Sequence, residues 1–262
     1  MLFHEPRFPP EAETWDELYI VPLQDLHIGD PRFREDVFQA IKAWLLEAPN
    51  RFAIINGDLF NVALKHSVSS VYEDTMNPRE QLRYGRKLFD GLQGRILSAT
   101  TGNHEERIAK ETSIDVMEEF AAWLGCPYDP TGVCLKLKFG KDSRHSDPVV
   151  YALYHTHGAS GAQLIGGKAL SMERLIQSIP LADVVVTGHT HAKIAFKDRV
   201  LVPDLRTNKL VYHERTYVNG SALLDWGGYA ERKGYRPSAL GPAHIRLSGK
   251  HHGNHDSLTH SA

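Results

Sequence analysis

The chain has 262 residues, of which 42% are hydrophobic and 24% are charged, and its formal net charge at pH 7 is −2. This composition is typical of a globular protein and argues against a disordered chain. No apolar run approaches the ~18 residues that a membrane-spanning helix needs. Residues 1–16 contain several acids and prolines and no apolar stretch, so we do not expect a secretory signal there.

Two further features of the composition bear on environment and partners. Cys126 and Cys134 are the only cysteines, and we expect two free thiols in a reducing cytoplasm rather than a disulfide. The segment 193–250 has about six more basic than acidic residues. Such a segment steers an anionic substrate toward a site, or it forms an ordinary solvated surface, and the sequence leaves both interpretations open.

The apolar pattern predicts strands that alternate with helices. Short apolar runs typical of strands occupy residues 18–23, 52–55, 95–100, 132–139, 149–154, 183–186, 193–202 and 209–218. Helical spacing of apolar residues occupies 33–46, 78–92, 113–124 and 170–179. We therefore predict an N-terminal extension over 1–16, one α/β domain over 17–226, and a Gly-, Pro-, Ser- and His-rich tail over 227–262 that wraps the surface or is disordered.

Candidate metal ligands occur directly after five of the predicted strands. The segments are Asp25-Leu26-His27, Gly57-Asp58, Gly102-Asn103-His104-Glu105, His157-Gly158 and Gly188-His189-Thr190-His191. The carboxyl ends of neighbouring strands meet at one edge of an α/β sheet, so these distant segments can converge. Together they offer oxygen and nitrogen donors and no thiolate, the set that two neighbouring first-row divalent ions need.

The chemistry of a two-metal site suggests a role for each ligand. Two cations about 3.5–4 Å apart need a shared anion, and Asp58, in the turn after Gly57, is our candidate for the bridging carboxylate. The predicted sets are Asp25, His27, Asp58 and His191 for one ion, and Asp58, Asn103, His157 and His189 for the other. His104, adjacent to a ligand, is then placed to protonate a leaving alkoxide, and we predict His104 and Asp58 as catalytic residues.

Three further residues are predicted to contact the substrate. Arg107 lies one helical turn beyond His104 and can clamp a phosphate oxygen, although Glu105 and Glu106 could equally pair with it. His155 precedes His157 by two residues, and His66 lies in the long segment 61–77 after the second motif. That segment either grips a substrate or serves another purpose such as oligomerisation.

These residues carry a resemblance to a known family. The motifs D-x-H, GD, GNH-(D/E), H-G and GH-x-H occur here in the order of the calcineurin-like metallophosphoesterase superfamily, which the chain resembles from Asp25 to His191. Gly57-Asp58-Leu59-Phe60 is similar to the branch of DNA-repair exonucleases. The resemblance favours His157 over His155 as a ligand, because the family ligand directly precedes Gly. A second GNHD, at residues 253–256, follows no predicted strand, and we reject it as a site.

The resemblance implies a fold, a reaction and a cofactor. The expected fold is α/β, with two mixed β-sheets packed as a sandwich and flanked by helices. The expected reaction is in-line attack on phosphorus by a hydroxide that bridges two divalent ions, with Mn²⁺ favoured and Fe²⁺, Zn²⁺, Co²⁺ or Ni²⁺ also compatible with the ligands. We expect a phosphodiesterase, with DNA or a nucleotide as a candidate substrate.

Other functions stay open at this stage. A phosphomonoesterase acting on a small metabolite or a phosphoprotein would use the same metal core. A non-catalytic scaffold with the same fold is disfavoured, because such a protein usually lacks a ligand or the acid histidine. An amidohydrolase would leave Asp25, Asn103 and His104 without a role.

Overall fold

Two β-sheets packed face to face, with helices on their outer sides, form the fold. The computed structural model describes residues 1–64, 74–144, 146–227, 231, 237, 239–241, 243–252 and 255–258. The strands are β1 (Leu2–His4), β2 (Glu17–Leu23), β3 (Arg51–Asn56), β4 (Ile96–Thr100), β5 (Val133–Phe139), β6 (Val149–His155), β7 (Val184–Thr187), β8 (Ile194–Asp204), β9 (Lys209–Asn219), β10 (His244–Ser248) and β11 (His255–Leu258). The helices are α1 (Glu35–Leu46), α2 (Pro78–Phe89), α3 (Asn103–Thr112), α4 (Val116–Leu124) and α5 (Ile165–Ile176).

The order of strands confirms the predicted pair of mixed sheets. The five-stranded sheet runs β11-β10-β2-β3-β4, with β2, β3 and β4 parallel and β10 antiparallel to β2. The six-stranded sheet runs β1-β5-β6-β7-β9-β8, with β6, β7 and β9 parallel. The parallel strands of each sheet are the ones that carry the motifs, or lie beside them, so their carboxyl ends supply the site.

Apolar side chains fill the space between the two sheets. Leu18 and Ile20 of β2 pack there with Tyr151 and Leu153 of β6, and all four are fully buried. A second apolar cluster joins the other face of the five-stranded sheet to α1, α2 and α4. A third joins the six-stranded sheet to α5. Both sheets are therefore covered on each face, which explains why their strands appear as nearly continuous apolar runs.

Three strands near the ends of the chain were not predicted: β1, β10 and β11. β1 pairs in parallel with β5, and Trp15 packs between the sheets. Within the predicted tail, Ile245 and Leu247 of β10 are fully buried and pair with β2. Residues outside 17–226 thus contribute strands to both sheets, whereas the division of the chain into domains stays a prediction.

Three smaller expectations concern the cysteines, the repeated motif and membrane segments. Cys126 and Cys134 are free thiols, as predicted. Of the rejected GNHD, His255 and Asp256 lie in β11, and residues 253–254 lie outside the described part of the chain. Among the described residues, no helix has both the length and the apolarity needed to cross a bilayer.

Candidate metal centre

The five motifs meet at the carboxyl ends of β2, β3, β4, β6 and β7. Asp25, Asp58, His157 and His189 each follow the last residue of their strand by two positions, and Asn103 begins α3 directly after the turn that ends β4. All these strands point toward the same edge of the sandwich. The structure therefore brings together all seven predicted metal ligands, which span residues 25–191.

One group of ligands surrounds a first metal position. Asp25, His27 and His191 offer three atoms that lie within 4.8 Å of one another. His191 Nε2 lies 3.4 Å from Asp25 Oδ1 and 3.2 Å from His27 Nε2. This geometry brings together three of the four ligands predicted for the first ion.

A second group lies beside the first and is connected to it through Asp58. Asp58, His157 and His189 again offer atoms within 4.8 Å of one another, and His157 Nε2 lies 3.3 Å from Asp58 Oδ2. Asn103 Oδ1 lies 3.2 Å from His157 Nε2 and 2.8 Å from His189 Nδ1. Asp58 also forms a group with His27 of the first position. It is therefore placed where a carboxylate shared by two ions would be needed.

The backbone at five of the ligands adopts the left-handed conformation. The φ angles are 49° at Asp25, 50° at His27, 49° at Asp58, 67° at His189 and 51° at His191. Such angles cost a non-glycine residue about 1–3 kcal/mol and persist only where the surrounding structure enforces them. Asp25, Asp58 and His189 adopt these angles two residues after a buried strand ends, at the point where their side chains join the cluster.

Each buried carboxylate of the cluster faces one histidine that carries its proton to unusually high pH. Burial lowers the pKa of His157, but the Asp58 carboxylate outweighs that effect and raises it to about 10. Burial likewise opposes protonation of His191, and Asp25 raises its pKa above the ordinary value. In return, the pKa of Asp58 is held well below 3.8 and that of Asp25 is also lowered, although burial alone would raise both.

The remaining histidines of the cluster are neutral. Burial lowers the pKa of His27, His104 and His189 below the ordinary value of 6.5. A neutral imidazole has a lone pair available, which is the form that binds a metal ion. The two metal ligands among these three, His27 and His189, need not lose a proton before they bind an ion.

The donor set fits divalent cations. Asp25 Oδ2 accepts hydrogen bonds from the backbone N–H of His189 and from Gln24 Nε2, whereas the buried Oδ1 accepts none and faces the cluster. The nearest charged neighbour of Oδ1 is His191 Nε2 at 3.4 Å, and a buried carboxylate oxygen is costly unless a positive charge faces it. A metal ion at that position would supply such a charge.

Metal binding should therefore release protons. A cation can occupy its position only when the imidazole there is deprotonated, so we expect the apparent affinity for Mn²⁺ to rise at least about tenfold per pH unit between about pH 6 and pH 8. The sign follows from the raised pKa of His157, about 10, because lower pH favours the competing proton. Calorimetric titration in buffers of different ionisation enthalpy counts the protons. An affinity independent of pH would contradict this.

Glu105 connects the backbone of two motifs of the site. From the sequence, this residue was considered as a partner for Arg107. Its buried carboxylate accepts hydrogen bonds from the backbone N–H groups of Asp58 (3.1 Å), Phe60 (2.8 Å) and Gly102 (3.1 Å). Burial, and then the charge of Asp58, raise its pKa to about 7. The fourth letter of GNHE is thus a brace between two motifs.

We expect Glu105→Gln to weaken metal binding. Glutamine retains one acceptor oxygen and adds a donor that would face the backbone N–H groups of Asp58 and Phe60, so the two motif loops should lose their common brace. A loss of about 10–100-fold in metal affinity is typical when a group supporting a ligand is removed. Glu106→Gln is the matched control, since Glu106 is exposed on the same helix and pairs with Lys110. Equal metal affinity in the two variants would refute a bracing role.

Gly102 permits the close approach of two motifs. A Cβ atom built on Gly102 would lie 2.1 Å from Asp58 Oδ1 and 2.3 Å from the Asp58 backbone nitrogen. Its φ of −112° suits any residue, so the requirement for glycine is purely one of space. The small residue of the GNH motif is explained by the carboxylate that packs on it.

Gly102→Ala should therefore displace Asp58 and destabilise the protein. Overpacking a tight contact typically costs about 1–3 kcal/mol of the free energy of unfolding, and here it should also lower metal content. Gly161→Ala is the control, because a Cβ at Gly161 meets nothing within 4 Å. Urea unfolding and metal analysis of both variants test the expectation. It fails if Gly102→Ala is as stable and as metal-loaded as the control.

His104 is oriented by a contact on the side of its ring away from the metal ligands. Its Nδ1 lies 2.8 Å from the carbonyl oxygen of Asn61, and because a carbonyl can only accept, Nδ1 carries the hydrogen. Nε2 then faces Asp58 Oδ2 at 3.9 Å. The side-chain Oδ1 of Asn61 lies 3.2 Å from His27 Nδ1, and its Nδ2 donates to Asp74. Asn61 and Asp74 were not identified from the sequence.

The predicted substrate residues have different outcomes. His155 does not fit a substrate contact: its ring is fully buried, lies 2.7 Å from Ser98 Oγ and 3.2 Å from Asn56 Oδ1, and burial lowers its pKa to about 3. It lies at the last position of β6, where the alternation of an extended strand turns it between the sheets. Arg107 lies on α3 one turn after His104. His66 lies outside the described residues.

Comparison with known proteins finds similarity at the level of structure only. The sequence matches no protein family and no curated protein. Among solved structures, the calcineurin-like phosphoesterase YfkN from Bacillus subtilis is 11% identical, with a TM-score of 0.41, covering 92% of this chain and 88% of that one.

Two other similar structures belong to proteins of different kinds. A nuclease, MPE, from Pseudomonas putida is 13% identical with a TM-score of 0.33, and the match covers 91% of this chain and 87% of that one. GAP50, the anchor in the inner membrane complex of Plasmodium, is 10% identical with a TM-score of 0.48, covering 88% of this chain and 81% of that one. The five ordered motifs and the pair of mixed sheets resemble those of the calcineurin-like metallophosphoesterase superfamily.

Proposed function

We propose that this protein is a phosphoester hydrolase that works with two divalent metal ions. The observation that carries the proposal is the shared position of Asp58 between two groups of ligands. Asp25, His27 and His191 would hold one ion, and Asn103, His157 and His189 the other. When bound, two such ions lower the pKa of a water molecule and polarise the phosphoryl oxygens of a substrate.

The protein's own residues supply the rest of the chemistry. His104 lies beside the carboxylate of Asp58, with its Nδ1 hydrogen held by Asn61 and its Nε2 free to carry a proton toward a leaving oxygen. Burial keeps its pKa below 6.5, so Nε2 must take up that proton for the reaction and would then give it up readily to a basic leaving oxygen. We assign His104 the role of general acid.

Arg107 is the residue of α3 that we assign to the substrate phosphate. Its Nη1 is buried and has no hydrogen-bond partner among the described residues, and neither Glu105 nor Glu106 pairs with it. Glu105 is occupied by three backbone groups and Glu106 by Lys110, so the alternative that either glutamate neutralises Arg107 is not supported. A guanidinium with an unsatisfied donor near a metal site suits a phosphate oxygen.

For the substrate we propose a phosphodiester, with a nucleic acid as the first candidate and Mn²⁺ as the metal. The residues Gly57-Asp58-Leu59-Phe60 are similar to the exonuclease branch of the superfamily, and the excess of basic residues over 193–250 suits a polyanion. The free thiols Cys126 and Cys134 support a reducing location, which we propose is the cytoplasm.

A panel of substrates and metals tests the proposal. Metal-free protein is reloaded separately with Mn²⁺, Fe²⁺, Zn²⁺, Co²⁺ and Ni²⁺, and each form is assayed on single-stranded and duplex DNA, cyclic nucleotides, a synthetic diester and a synthetic monoester. We expect diester hydrolysis with Mn²⁺. Turnover of the monoester alone would show a phosphomonoesterase, and inactivity with every metal on every substrate would favour a scaffold.

A further inference from the structure

A long hairpin leaves the six-stranded sheet next to the metal centre. β8 and β9 have 11 residues each and pair without interruption from Ile194↔Asn219 to Asp204↔Lys209. β7 pairs with β9 only over residues 216–219, and β8 forms the edge of the sheet. Beyond the first few residues, the hairpin thus extends past β7 as a two-stranded arm, with β9 also in contact with β11. A two-stranded ribbon by itself is marginally stable in water.

One face of the arm is apolar and exposed. Leu201 lies opposite Tyr212, and Pro203 opposite Leu210, so the four side chains share a face. Leu201 is 54%, Leu210 65% and Tyr212 73% exposed, and Leu205 in the connecting turn is 86% exposed. We call this set, Leu201, Pro203, Leu205, Leu210 and Tyr212, the arm patch. Large apolar side chains gathered on one surface mark an interaction site, unlike single ones scattered over the protein.

The charges on the same face lie closer to the sheet and are paired. Lys197 and Arg199 both contact Glu214, at 3.1 Å each. On the opposite face, Arg215 forms an ion pair with Asp198. Glu214 thus offsets one of the two positive charges on this face at the base of the arm. The exposed large apolar side chains lie farther out along the arm.

We propose that the arm patch is the interface of a homodimer, in which two copies of this chain pack their arms against each other. An antiparallel ribbon lends itself to a two-fold arrangement, since two such ribbons can cross with the same residues of each in contact. The exposed part of the patch is on the order of 600 Å² in each copy, so that burying both would reach the ~1,200 Å² of a small specific interface. Pairing would also support two ribbons that are weak alone.

The oligomeric state in solution tests this inference. We expect sedimentation of the full chain to give about twice the monomer mass of 29.4 kDa. The double variant Leu210→Ser, Tyr212→Ser should dissociate at least tenfold more easily. The matched control, Ile114→Ser with Leu181→Ser, removes two side chains of similar exposure, 56% and 60%, from other surfaces and should leave the dimer intact.

A crosslink provides evidence that does not depend on how the double variant folds. Tyr212→Cys places a thiol at the centre of the patch, and mild oxidation should link two chains through it, whereas Leu181→Cys should stay unlinked. A wild-type monomer at every concentration overturns the inference, as does a dimer that the patch variant leaves unchanged and Tyr212→Cys does not link. The homodimer is also overturned if the wild-type protein does not self-associate but binds a different protein through the arm. In that case the patch variant alone would fail to bind this partner.

Discussion

Asp58→Asn should lower kcat on a phosphodiester by about 10³-fold or more, equivalent to ~4 kcal/mol of transition-state stabilisation. Asparagine has nearly the same shape but carries no charge, so it cannot offset the repulsion of two cations with two anionic oxygens. Asp58 is buried and lies in both the second ligand group and the group with His27 and His104, so the content of both metals should fall. Steady-state kinetics and metal analysis measure the two effects.

A second measurement on the Asp58→Asn variant does not involve metal. Asp58 is the main reason that the pKa of His157 is raised to about 10 against the effect of burial. Without that carboxylate, burial dominates, and the pKa of His157 in metal-free Asp58→Asn should fall to its ordinary value or below. NMR titration of the His157 ring measures this change in pKa. Asp36→Asn, an exposed carboxylate on α1, is the control for a lost charge. Wild-type turnover and metal content in Asp58→Asn would place catalysis elsewhere in the protein.

His104→Gln should lower kcat by about 10²–10⁴-fold on substrates with a poor leaving group, the range expected when a general acid is lost. Glutamine can still hydrogen-bond the carbonyl of Asn61, but it cannot transfer a proton. Because the assigned metal ligands are unchanged, metal content should stay at the wild-type level. With a leaving group that needs no protonation, such as p-nitrophenolate, the loss should be small.

The comparison of leaving groups separates two roles for His104. A structural or metal-binding role predicts the same loss for every leaving group and a reduced metal content, since His104 also lies in a group with His27 and Asp58. His155→Gln is the control for loss of a histidine near the site, because His155 is buried among Ser98 and Asn56 and reaches no substrate. Equal losses for both leaving groups would remove the acid role.

The convergence of the candidate ligands was predictable because each has a local signal and a shared context. Every ligand motif follows an apolar run that ends abruptly, and parallel strands bring such ends to one edge. The same reasoning failed for α3, whose ten residues bury only Glu105 and Ile108 and so show little apolar periodicity. It failed again for β10, where two buried residues, Ile245 and Leu247, are too few to distinguish a strand from a loop.

The residues behind the ligands could not be predicted for a different reason. Glu105, Asn61 and Asp74 act through hydrogen bonds to backbone groups or to one another, and neither the spacing nor the residue type reveals such partners. His155 was predicted either to support a ligand or to face the substrate, and its ring is fully buried beside Ser98 and Asn56. The strand ends at His155, so its alternation does not extend to His157.

The left-handed turns at the five ligands have a consequence for the protein before it meets any metal. Local sterics oppose these backbone angles, so contacts with the surrounding structure must keep the turns closed. Amide hydrogens in those turns should exchange with solvent sooner than those of the strands they follow, and a cation seated among the side chains should slow that exchange. In a cell with too little of the metal ion, proteases would then cleave the protein first at these turns.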